Sequence, residues 1–180
     1  MWTKINIKEI ETKNELIGYG SQGKVYKLSP DRCIKIYLKE KHAKMEAKVL
    51  RSAASSRFFP KIYETGPNYN VMEYIEGNTL NNYLEKDGKL SNEIIKEIVM
   101  MLKEMERLNF TRVDARLRHI FITNENKIKV IDHVNSFKIS SNYPKHLFRG
   151  LKQLGHLQLF LEVANKFESE LCMRWRKVNS

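Results

Sequence analysis

The chain has 180 residues, of which 42% are hydrophobic, and a formal net charge of +11 at pH 7; that length suits one domain, or two small lobes sharing a hinge. No run approaches the roughly 18 uninterrupted apolar residues of a membrane helix, and the opening "MWTKINIKEIETKNEL" lacks the apolar stretch of a secretory signal. The two cysteines, Cys33 and Cys172, have no CxxC spacing, so a reduced cytoplasm is the expected location, with Cys33 a small core hydrophobe.

In chain order, the first 37 residues read as strands punctuated by glycines, with "SPDR" at 29–32 as a turn. A helix follows, in which Ala43, Ala47, Leu50 and Ala54 recur at helical spacing. Pro60 stops it, and "KIYET" and "YNVMEYI" read as a strand pair around "GPN". Ser91 is a candidate N-cap for a helix whose stripe is Ile94, Ile98, Met101, Met105 and Leu108, ending near Asn109. "HIFIT" and "KIKVIDH" form a small hairpin about "NEN". Pro144 then opens a long helical segment lined by Leu147, Leu151, Leu154 and Leu157, continuing through Phe167, Leu171 and Trp175. The order predicts an α+β protein: an N-terminal sheet lobe to about residue 71, a hinge at 72–78, and a helical lobe over 79–180.

Chemistry concentrates in "LIGYGSQGKVYKLSPDRCIKIY". Gly18, Gly20 and Gly23, followed by Val25, form G-x-G-x-x-G-x-V. No helix follows the third glycine, as a dinucleotide-binding turn would require; "KVYKL" is strand-like. Backbone N–H groups in such a loop can approach phosphate oxygens. Lys35, flanked by Ile34 and Ile36, points to the opposite face of its strand, toward the side beneath the glycine loop. An ammonium there must be paired, and Glu46 on the next helix is the candidate. The plainer alternatives are an ordinary glycine hairpin and a solvent-facing edge lysine.

With these residues in hand, the chain resembles the protein kinase-like family over roughly residues 15–135. "GYGSQGKV" matches the glycine-rich loop, "CIKIY" the lysine strand and "MEAKVL" the glutamate of the first helix. "VMEYIEGNTL" is similar to the hinge; the resemblance implies that the backbone at Glu73 and Ile75 pairs with adenine and that Met72 lines the back of that site. "RVDARLRHIF" resembles the catalytic loop, with Asp114 as the residue meeting the acceptor hydroxyl and Arg116 contacting the transferred phosphate. "VIDHV" resembles the D-F-G segment, with Asp132 carrying Mg²⁺.

The chain also departs from the pattern. His119 stands where the family has a metal-binding Asn, and an imidazole there favours Mn²⁺. His133 and Val134 replace Phe and Gly, Val113 replaces the Arg before the catalytic Asp, and no A-P-E motif follows. Only 48 residues lie beyond Asp132, which is similar in economy to RIO-type or lipopolysaccharide-core kinases.

The implied function is an ATP-dependent phosphotransferase, a minimal bacterial-type serine/threonine kinase, with a protein acceptor favoured over a small molecule. A pseudokinase, serving as nucleotide-binding or scaffolding module, is the first alternative. The second, prompted by the +11 charge, is a basic nucleic-acid-associated protein on the same fold.

Overall fold

The computed structural model describes residues 5–87, 89–138, 140–141 and 143–177, in two compact units. The first runs through Ser55 and resumes at Pro60–Ile75; the second takes Ser56–Phe59 and the chain from Glu76 onward. The α+β class expected from the element order is what the structure shows.

The first unit begins with a difference from the sequence reading. Residues Ile7–Lys13 form a helix, α1, not a strand. Asn6 caps it, its side chain accepting from the Glu9 N–H at 3.4 Å, and Glu9 pairs with Lys13 one turn on at 2.7 Å. A local cap and an i,i+4 pair outweigh the short apolar alternation that suggested a strand. Strands β1 (Leu16–Gly20), β2 (Gly23–Ser29) and β3 (Arg32–Tyr37) follow, then helix α2 (Glu40–Ser52) and strands β4 (Ile62–Thr65) and β5 (Tyr69–Glu73). The sheet order is β1-β2-β3-β5-β4, antiparallel throughout. Because side chains alternate between faces, Tyr26, Ile34, Tyr69 and Val71 cluster on one side, where Ile7 and Ile10 of α1 pack. Residues of the intervening positions point the other way, toward α2. Cys33 is buried, and that burial pushes its thiol up to about 12. It is a core residue as expected.

The second unit holds a three-stranded antiparallel sheet of β6 (Gly77–Thr79), β7 (Ile120–Thr123) and β8 (Ile128–Val130), in that order. Helices α3 (Leu80–Asp87) and α4 (Asn92–Arg107) lie between β6 and β7 in sequence. Ser91 caps α4 by accepting from the Ile94 N–H, and Asn109 ends the segment in the left-handed region at φ 57°. Of the α4 stripe read from the sequence, Ile94, Ile98, Met101 and Met105 are buried, while Leu108 is the half-buried C-cap; Leu102, outside that stripe, is fully buried as well.

The long C-terminal helix is instead three: α5 (Lys145–Gln153), α6 (Leu157–Phe167) and α7 (Ser169–Lys177). Gly155, at φ 75°, breaks the first junction. The breaks let α7 fold back on its neighbours, so that Trp175 meets Phe148 edge-on at 5.1 Å. One leucine stripe could not distinguish a straight helix from this arrangement.

Leu102→Ala should cost about 2–5 kcal/mol of stability, since it opens a cavity in a closed core. Met100→Ala, on the exposed side of the same helix, should stay within about 0.5 kcal/mol. Urea denaturation of both proteins checks the assignment; equal midpoints would mean that α4 does not bury the face described.

Candidate functional site

The first unit sets the glycine loop and Lys35 in one row across the sheet. Register pairs Gly18 with Val25, Val25 with Lys35, and Lys35 with Asn70, so these positions share a face. Gly23 is required by the fold: its φ is 155°, and a Cβ there would lie 1.9 Å from the Ile36 carbonyl oxygen. The other two glycines are different. A Cβ on Gly18 would make ordinary contact with Val25, and one on Gly20 would meet nothing within 4 Å. Packing within the protein therefore does not demand glycine at 18 or 20.

Lys35 Nζ donates to Glu46 Oε2 at 2.6 Å, with the side chains 14% and 3% exposed. The expected pair is formed, and it is nearly dry. The same Glu46 oxygen accepts from Tyr37 Oη at 2.6 Å. Asn70 Nδ2 donates to Tyr37 Oη at 2.9 Å and to the Ala43 carbonyl of α2 at 3.0 Å. Lys35 Nζ also reaches Gln22 Oε1 at 3.2 Å, which brings the loop tip onto the ammonium. Glu73 lies at the end of β5, its N–H donating to the Lys61 carbonyl. Met72 is buried on the same strand, and half-buried Ile75 closes the unit.

In the second unit, Asp114 lies in a short segment pinned by backbone bonds: the Arg112 N–H donates to Ser136 O and the Val113 N–H to Ser141 O. Its carboxylate is fully engaged. Oδ1 accepts from the His146 and Leu147 N–H groups at 3.1 and 3.2 Å. Oδ2 accepts from His146 Nδ1 at 2.5 Å, and Arg112 lies 3.9 Å away. Asp114 thus caps the first turn of α5, where N–H groups lack helical partners. Arg116 is exposed, just before a single 3₁₀ turn at Leu117–His119.

His119 and Asp132 come together, Nδ1 to Oδ2 at 3.5 Å, helped by the Ile131 N–H bonding the His119 carbonyl. Arg118 Nε donates to His119 Nε2 at 3.3 Å, which puts the proton of a neutral ring on Nδ1, facing Asp132. Asp132 itself is left-handed, φ 68°, an uncommon conformation for a non-glycine residue. The donor chemistry fits a hard divalent ion: Mg²⁺ takes one or two carboxylates and completes its shell with water and phosphate. His133, in place of Phe, keeps the role of a packed ring. It is buried, stacks edge-on with Phe59 at 4.9 Å, and donates from Nε2 to the Val130 carbonyl at 2.7 Å.

The model of the ABC1 atypical kinase-like domain matches residues 37–158. The chain belongs to this kinase-like family. Among curated proteins it is similar to "Putative serine/threonine-protein kinase YrzF" of Bacillus subtilis (strain 168), at 31% identity over 131 residues, covering 70% of this chain and 61% of that one. It is also similar to "Probable serine/threonine-protein kinase zyg-1" of Caenorhabditis briggsae, 24% identical over 144 residues, or 72% of this chain and 20% of that one. A third relative is "Probable serine/threonine-protein kinase fnkB" of Dictyostelium discoideum, 28% identical over 148 residues, or 76% and 27%. The chain therefore spans less than two thirds of each of these relatives.

Several contributors escaped the sequence reading. Tyr37 carried a signal: it is two residues from Lys35 and so on the same face. Asn70 carried another, a polar residue inside the apolar strand "YNVME". His146 carried none, being 32 residues from Asp114.

Glu46→Ala, which leaves Lys35 without its buried counter-ion, should cost about 3–5 kcal/mol. Tyr37→Phe should cost about 1–3 kcal/mol by removing the hydroxyl that serves both Glu46 and Asn70. The double variant should lose less than the sum, because both act on one carboxylate oxygen. Denaturation midpoints of the four proteins test this, and strict additivity would show that the two side chains act separately.

Proposed function

We propose that the protein is an ATP-dependent phosphotransferase, with a serine or threonine hydroxyl of a protein as the acceptor. The observation that carries this reading is the dry Lys35–Glu46 pair, in register with a glycine loop where two of the three glycines answer no packing demand of the protein. Lys35 would hold phosphate oxygens while Glu46 holds Lys35, with Gly18, Gly20 and Gly23 leaving backbone N–H groups accessible. No hydrogen bond to the Ile75 backbone forms among the described residues, which leaves its N–H and C=O for a purine edge, beside Glu73. Asp132 would hold Mg²⁺, which neutralises phosphate charge when bound. Arg116 would contact the transferred phosphate, and Asp114 would orient the acceptor. The names of the relatives favour a protein acceptor, and a cytoplasmic site of action accords with the buried, unpaired cysteines. No described helix is long and apolar enough to cross a membrane.

One observation favours a second reading, a nucleotide-binding module without turnover. Every hydrogen bond of the Asp114 carboxylate described above goes to α5 or its first residues, so Asp114 must leave His146 before it can meet a hydroxyl. Thermal shift with ATP and Mg²⁺, paired with transfer of label from ATP, separates the two. A shift with transfer supports the phosphotransferase, a shift without transfer supports the binding module, and no shift rejects both. Lys35→Met should lose about 2–4 kcal/mol of ATP binding through its charge-assisted contacts; unchanged affinity would remove Lys35 from the site.

His119 was expected from the resemblance to ligate metal. Its contacts with Arg118 and Asp132 favour orienting Asp132 instead. His119→Asn should then lower activity while leaving the Mn²⁺/Mg²⁺ activity ratio as in the wild type. A ratio shifted toward Mg²⁺ would make the imidazole a ligand.

A further inference from the structure

The second unit has a pocket of about 480 Å³, and its lining charges are unbalanced. Arg116 and Arg118 reach it from either side of Leu117, while Arg149 and His146 reach it from α5; Glu85 of α3 is the one carboxylate in the wall. The pocket depends on how closely α5 lies against the 3₁₀ turn. A Cβ at Gly150 would stand 2.7 Å from Leu117 Cγ, so the absence of a side chain there lets the two groups of arginines face a common space.

Elsewhere in this unit three exposed arginines have carboxylate partners. Arg57 pairs with Glu97, Arg107 with Glu104 and Arg174 with Glu106. Among the described residues, Arg116 and Arg149 form no ion pair, and Arg118 donates to the His119 ring and not to a carboxylate. The three guanidinium groups, set against the one carboxylate of Glu85, leave a surplus of two positive charges among the arginine and glutamate side chains of the wall. Guanidinium forks recognise phosphate by paired, charge-assisted hydrogen bonds, and a phosphate monoester near neutral pH carries up to two negative charges. The volume is that of a small-molecule site, with space for an organic body beyond the phosphate.

We propose that this pocket binds a phosphate monoester. Its ligand would sit beside His146, whose Nδ1 bonds Asp114, and so within one side chain of the carboxylate assigned to the acceptor. Two sources share the chemistry, a small phosphorylated alcohol and a phosphorylated side chain of a peptide. Binding needs no turnover, so the proposal can fail or stand whatever becomes of the phosphotransferase reading.

The test is calorimetric titration of the full chain, without ATP, at low salt. The probes are glycerol phosphate, a phosphoserine peptide and a dinucleotide phosphodiester. Arg149→Gln is the test variant. Lys152→Gln, an exposed change of the same charge on α5 outside the pocket lining, is the control, with circular dichroism confirming that both fold. The monoester should bind saturably, about tenfold more weakly to Arg149→Gln and within about twofold to Lys152→Gln. Tighter binding of glycerol phosphate than of the peptide would support the pocket with a small molecule as the source; the reverse would support it with a phosphorylated side chain. Absence of saturable binding, equal losses in the two variants, or preference for the phosphodiester would overturn the proposal.

Discussion

The buried carboxylate of Glu46 organises the first unit. An ionised group with 3% of its side chain exposed is tolerable only when it is paired and its oxygens are hydrogen-bonded. Glu46 meets that condition through Lys35 and Tyr37 on one strand, and through Tyr37 it reaches Asn70 on the next. Asn70 returns to α2 at the Ala43 carbonyl. The result is a closed loop of polar contacts that ties α2 to two neighbouring strands. Apolar contacts alone would tolerate sliding of the helix, whereas hydrogen bonds of fixed length set its position and hold the lysine beneath the glycines.

In the second unit a different carboxylate serves a comparable purpose. Asp114 gathers the unpaired N–H groups at the start of α5, so one side chain joins the loop that carries it to a helix 32 residues later. The same residue is the one the family resemblance assigns to the acceptor hydroxyl. On the phosphotransferase reading, structural engagement and chemical availability would compete for the lone pairs that His146 and Leu147 hold in this structure. That competition is why turnover, and not nucleotide binding, is the question that divides the functional readings.

Replacement of the family's D-F-G by Asp132-His133-Val134 is less disruptive than it reads. What the ring at 133 must do is fill an aromatic niche beside Phe59 and Phe110, and an imidazole fills it once its N–H finds the Val130 carbonyl. Asp132 takes a left-handed backbone with Val134 standing where the family has glycine. At 119 the change is chemical as well as steric, because the imidazole accepts from Arg118 at Nε2 and turns Nδ1 toward Asp132.

The sequence by itself determined the α+β order, the α4 stripe, and the Lys35–Glu46 pair. Each follows from local periodicity, or from the rule that a charge on a buried face needs an opposite charge within reach of the neighbouring element. Five motifs in the right order, from the glycine loop to the segment at Asp132, also carried the resemblance to the kinase-like family whose model matches residues 37–158. Other features were beyond it. Residues 7–13 became a helix because Asn6 could cap them and Ile7 and Ile10 found an apolar cluster to cover. The C-terminal segment broke at Gly155 because Trp175 packs on Phe148 only if the chain turns back. The contact of Asp114 with His146, and the meeting of Arg116 and Arg118 with Arg149 around one pocket, join residues about 30 positions apart. Those partners are chosen by how close two backbones can approach, at Gly150 against Leu117, and no local pattern records that distance.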